Sequence, residues 1–194
     1  MPDVANTPIK VCSRASVLIG GDEIQSFTDG TLESTVADAV YEDIVRAALT
    51  NTRWRFATNQ QQLNRLTEKP TGRWNAAYEL PSDTLLVHAL TVNDLPVKYD
   101  IYGSKAYNNE GEASVVVADY TFRADEQNWP SFFTLAVQHM LAGSFAISIA
   151  RDASLSQLMD QKAVMYMAQA RRADSQQQTT RRLNTSRFIT QRRS

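Results

Sequence analysis

The chain has one cysteine, Cys12, and two histidines, His88 and His139, among 194 residues. A lone cysteine excludes an intrachain disulfide, and a thiol zinc site built from these three residues would still lack a fourth ligand. The seven glycines are scattered, so no Walker or dinucleotide fingerprint, which needs clustered backbone amides around an anion, is present. Gly20-Gly21-Asp22 is the nearest approach, but it follows a helical pattern and not a strand, and a helix C-cap explains it. No uninterrupted apolar run occurs either. The most apolar segment, Phe132 to Ala150, is broken by Gln138, His139, Gly143 and two serines, and Met1 to Lys10 lacks a basic stretch leading into an apolar core. The expectation is a protein that is neither exported nor inserted in a membrane, in a reducing compartment.

What the chain does contain is ordinary globular composition: 43% apolar residues, 21% charged and a net charge of -1. The length suits one compact unit with extensions. Charge is the uneven feature. From Arg171 onward seven arginines face one acid, Asp174, giving +6, which leaves 13 basic against 20 acidic residues before it, or -7. An acidic body carries a basic tail.

Periodicity and caps place four helices. Thr7 and Pro8 open the first, over residues 8–20, ended by Gly20-Gly21. After the turn Asp29-Gly30-Thr31, the repeat Val36, Val40, Ile44, Ala48 marks a second over 32–51. Trp129-Pro130-Ser131 opens a third over 130–150, and a Ser154 or Ser156 cap opens a fourth over 154–173. Between them, residues 54–123 carry short β-branched and aromatic segments, such as Thr84 to Val92 and Val115 to Phe122. Turn chemistry such as Leu80-Pro81-Ser82-Asp83 and Asn93-Asp94 separates them. The expected fold class is α+β: a bundle of about four helices with a small antiparallel β insertion, spanning residues 1–174, followed by an extended basic arm over 175–194.

That arm cannot build a core. It has only Leu183, Phe188 and Ile189 as apolar anchors, and the Phe188-Ile189 pair flanked by Arg187 and Arg192-Arg193 reads as a docking peptide. Its arginines also invite a nucleic-acid reading, which the acidic body and the lack of aromatic interleaving oppose. No Ser-His-Asp or Cys-His constellation is evident, and both histidines sit in apolar runs. Acid pairs such as Glu33 with Asp38, or Glu42 with Asp43, could serve glycoside hydrolysis but equally suit solvated helix faces. The methionines 140, 159, 165 and 167 read as helix-packing material, with partner contact as the other option.

An ordered set of residues runs through this pattern: Ala15 and Ile19-Gly20, Ile24 with Ser26-Phe27, Tyr41 and Leu49, then Trp54-Arg55-Phe56-Ala57 and Leu63. Trp74, Ala77-Tyr78, Leu80-Pro81 and Asp83 follow, then Ala118-Asp119-Tyr120 and Trp129-Pro130. In order and spacing the chain resembles the phage head-to-tail adaptor and tail tubular protein A family, which includes the adaptor of gene transfer agents, from about residue 9 onward.

The resemblance implies a non-enzymatic virion protein without cofactor or metal, assembled in the bacterial host cytoplasm. It implies a ring, usually dodecameric, attached beneath a portal protein and accepting tail or stopper proteins on its other face. DNA passes through the channel without sequence-specific binding, and no membrane is involved. Trp54, Phe56, Tyr78, Leu80, Pro81 and Asp83 would specify the fold, while Arg181, Arg182, Arg187, Phe188, Ile189, Arg192 and Arg193 would dock the arm on the portal. A tail-associated peptidoglycan hydrolase and a DNA-binding accessory factor are the alternatives from other classes.

Overall fold

A computed structural model describes residues 6–68 and 70–177. The fold is α+β: four helices and two small antiparallel sheets. The helices are α1 (Pro8–Leu18), α2 (Leu32–Thr50), α3 (Ser131–Ser148) and α4 (Ala153–Gln176). The strands β1 (Thr58–Gln62), β2 (Ala76–Glu79), β3 (Thr84–Val92), β4 (Leu95–Pro96), β5 (Asp100–Tyr102), β6 (Lys105–Asn108) and β7 (Val117–Phe122) all lie between α2 and α3.

Local chemistry sets the helix ends. Thr7 accepts from the Lys10 amide and Thr31 from the Ser34 amide, each meeting a donor that the first helical turn leaves unpaired. The cap of α4 is Asp152, which accepts from the Ser154 and Leu155 amides, and not Ser154 or Ser156 as the sequence suggested. Ser156 points inward, donating to the Gly143 carbonyl at 2.9 Å and fastening α4 to α3. Helix α4 also runs on to Gln176, so Ser175 belongs to the helix and not to the arm. Its end is held by the Asp174 side chain, which accepts from the Arg55 amide.

Helix α3 is apolar on nearly every side because it is the hub: it packs against α1, α2 and α4. By length and composition it could cross a membrane, but 11 of its 18 residues are buried within the bundle, as in a core helix. Its Phe133, Val137, Leu141 and Phe145 meet Val11 and Ala15 of α1, Val45 and Leu49 of α2, and Met159 and Met167 of α4 in one core.

The β insertion holds two sheets where the turn pattern suggested one region. One has the order β1-β7-β3-β4, the other β2-β6-β5. Asn93 and Asp94 both have positive φ, 51° and 63°, as the two-residue turn joining β3 to β4 requires. Gly103, at φ 60°, makes the matching turn between β5 and β6. Between the sheets lies a second core of Leu63, Tyr78, Leu90, Val116, Ala118 and Tyr120, and Phe122 touches both this core and the helical one.

Trp54 closes the seam. Fully buried, it donates its indole N–H to the Ala48 carbonyl at 2.9 Å, pairing a C-terminal carbonyl of α2, and sets its ring edge-on to Phe133 with centroids 5.1 Å apart. Trp54→Ala would remove both contacts and leave a cavity beside α3. The expected loss is about 3–5 kcal/mol of unfolding free energy, measured by chemical denaturation.

Candidate functional site

The residues that could carry chemistry are occupied in packing. His88 bonds Thr121 Oγ1 at 2.8 Å, and burial, aided by the charge of Arg53, lowers its pKa, so its ring is neutral at pH 7. His139 bonds the Leu135 carbonyl at 2.9 Å and stacks against Tyr166 at 4.5 Å, linking α3 to α4. Burial pushes the Cys12 thiol up to about 12, helped by the charge of Glu126, which leaves it protonated and unreactive. Among the described residues no group of three or more His, Cys, Asp or Glu side chains could hold a metal ion.

Of the acid pairs, Glu42 is committed elsewhere. Its carboxylate receives Arg46 at 2.7 Å and Arg123 at 3.0 Å. Arg123 also donates to Glu126 at 2.6 Å and to the Ala124 carbonyl, while Tyr41 donates its hydroxyl to Glu126 at 2.8 Å. The Trp129 ring lies 5.7 Å from the guanidinium, and its indole N–H donates to the same Ala124 carbonyl at 2.9 Å. One guanidinium thus binds α2, the exit of β7 and the entry to α3. Asp38 and Asp43 remain on the exposed face of α2.

The six residues assigned to the fold motif do not converge on one site. Trp54 and Phe56 belong to the helical core, with Phe56 4.9 Å from Phe133. Tyr78 is buried in the β core, and Leu80 packs against it. Leu80 and Pro81 lead into β3: the Leu80 amide donates to the Ser104 carbonyl, and the Pro81 carbonyl accepts from Thr84. Asp83 is exposed, and its carbonyl accepts from the Arg123 amide at 3.1 Å. All six have structural roles. Arg181, Arg182, Arg187, Phe188, Ile189, Arg192 and Arg193 lie outside the described residues.

Two grooves lie along the C-terminal half of α4, the first of them beside the helix end. The first is an open, polar groove of about 730 Å³ lined by Arg53, Arg55, Asn59, Gln60, Arg171 and Asp174. Arg53 is paired with Asp119 at 3.1 Å, while burial raises the pKa of Asp174, against the opposing hydrogen bond from the Arg55 amide. The second is a mainly apolar groove of about 420 Å³ between α2, α3 and α4, with Ile44, Ala48, Met140, Val164 and Met167 on its walls. Arg171 borders both. Neither groove could be read from periodicity, because each joins residues separated by a hundred positions or more.

No protein family's sequence profile matches the chain, and no curated protein is similar to it.

The Arg123 network makes a stability prediction. Arg123→Gln leaves Glu126 buried without its cation and should cost about 3 kcal/mol, the low end for a broken buried pair because Glu42 stays half solvated. Burial raises the Glu42 pKa, but the hydrogen bonds and charges of Arg123 and Arg46 outweigh it and hold the carboxyl below its ordinary range. A depressed carboxyl stabilises fully above its unfolded value of about 4.3 and loses that contribution as pH falls through the folded value. The gap between wild type and Arg123→Gln, followed by denaturant melts, should therefore be constant near neutrality and narrow below that point.

Proposed function

We propose that this chain is a structural head-to-tail adaptor: a subunit of a ring that attaches beneath a phage portal and joins it to tail or stopper proteins. The observation that carries the reading is the role of the residues on which the resemblance rests. Ala15, Tyr41, Leu49, Trp54 and Trp129 are buried in the helical core, and Tyr78 and Tyr120 in the core of the β insertion. An assembly subunit requires such a rigid two-part body, and its polar interior is used for tying elements together and not for turnover.

The charge distribution supports the same reading. An acidic wall repels phosphate and lets duplex DNA slide without sticking, while arginines on an arm can form charge-assisted hydrogen bonds with carboxylates of a portal. Lateral packing of the helical parts would form the ring, the arm would dock on the portal, and the β insertion would face the tail. In this reading the site of action is the virion, and the protein needs neither cofactor nor catalytic residues.

One observation favours a second reading. The arginines at 53, 55 and 171 line the groove beside the arm's root, as a nucleic-acid accessory factor would require. Electron microscopy of the protein mixed with its cognate portal distinguishes the two. An adaptor adds a symmetric ring to the portal's tail-facing end, and replacing Phe188 and Ile189 with Asp abolishes attachment while the body stays folded. Variants that still attach normally would remove the arm from the proposal. A DNA factor instead binds duplex with a steep loss of affinity between low and physiological salt, and leaves the portal bare.

A further inference from the structure

The apolar groove between α2, α3 and α4 has walls that no described residue covers. Val164 is 69% exposed, beside Ala163 and Met167 of the buried face of α4. Ile44 and Ala48 form one side, Met140 and Met167 the floor, and two charges stand at its rim: Asp160 and Arg171. Asp160 lies directly over Gly143, where a side chain would collide with its carboxylate, and none of the ion pairs among the described residues uses it. The groove therefore suits a large apolar side chain accompanied by a cation.

Such a peptide is attached to the same helix. Phe188 and Ile189 are the adjacent apolar pair of the arm, with Arg187 before them and Arg192-Arg193 after. Phe188 follows Gln177 by eleven residues, a reach of up to about 36 Å if extended. Val164 lies thirteen residues before Gln177, about 20 Å back along α4. The route is continuous: Arg171, one turn before the helix end, borders both the groove at the arm's root and the apolar one.

We propose that the apolar groove is the seat of the chain's own arm in the free subunit, holding Phe188 and Ile189 against Ile44, Met140, Val164 and Met167, with a flanking arginine on Asp160. Met side chains suit this task, since an unbranched thioether adapts to an aromatic ring and gains from contact with it. A partner that recruits the arm must then compete with this seat, so the docking peptide is withheld until a better surface appears. The inference does not depend on the adaptor reading, because it concerns the isolated chain.

Methionine-methyl NMR on the full chain tests it. A seated Phe188 ring shifts the methyls of Met140 and Met167 by its ring current. Phe188→Leu should therefore move those two signals and leave Met159, in the core, and Met165, exposed elsewhere on α4, unchanged. Val164→Glu should move the amide signals of Arg187 to Ile189 to the positions they take in a synthetic arm peptide. If Phe188→Leu leaves Met140 and Met167 where they are, the seat is empty and the proposal fails. It fails also if the effect vanishes on dilution, since the occupant would then be the arm of a second copy. Neither failure bears on portal attachment, which the microscopy reads separately.

Discussion

Arg123 is the constraint on which the two halves of the molecule depend. It is the last charged residue before the chain leaves the β insertion, and its guanidinium is largely withdrawn from water, with its side chain 19% exposed. A buried cation is tolerated only when its donors are met, and here they are met by Glu42 from α2, Glu126 from the turn before α3 and the Ala124 carbonyl. Apolar packing alone would let the insertion slide against the bundle, because one methyl group can replace another. A planar fork with fixed acceptors admits one arrangement. Tyr41 and Trp129 extend that restriction, one by donating to Glu126 and the other by covering the guanidinium.

The apolar seam works with this polar one. Phe122 precedes Arg123 and touches both cores, so the strand that brings the guanidinium to α2 also brings an aromatic ring to the junction. At the other entry, Trp54 follows the end of α2 and Thr58 begins β1, with the Thr58 hydroxyl donating to the Trp54 carbonyl at 2.6 Å. The insertion is thus fixed at both chain crossings, and β1 and β7, which carry those crossings, pair with each other directly. A force applied to either half is transmitted through two adjacent strands and not through a flexible linker.

The helices and the N-caps of α1 and α2 were legible in the sequence because helix signals are local. Thr7 with Pro8, Gly20, the turn at Asp29-Gly30 and the spacing of Val36, Val40 and Ile44 all act within a few residues. The sheets were harder. Strands β2 and β6 are four residues each, and neither Ala76–Glu79 nor Lys105–Asn108 alternates clearly enough to be a strand by itself; their pairing makes them so. The cap of α4 misled because the two serines read as caps, Ser154 and Ser156, stand just inside the helix that Asp152 caps. Ser156 is drawn instead to the Gly143 carbonyl, available only after α3 and α4 pack. Long range defeats a local reading again at the ion cluster: Glu42 and Arg123 are 81 positions apart, and nothing in either neighbourhood marks the pairing.

The chain's charge asymmetry follows from the same division of labour. Within the body, the buried cation of Arg123 is outnumbered by its acids, and from Gly21 to Val45 seven acids occur with no lysine or arginine at all. Asp22, Glu23, Asp29, Asp38 and Asp43 are exposed on α2 and the loop before it, and none of the ion pairs among the described residues uses them, so they offer solvent a negative face. Just past the opposite end of α2 stand Arg53 and Arg55, and beside them Arg171 near the end of α4. A helix of 19 residues separates those ends by about 27 Å, well beyond the screening length of about 8 Å at physiological salt. Exposed charges at the two ends are therefore largely screened from one another. A net charge of only -1 conceals this division.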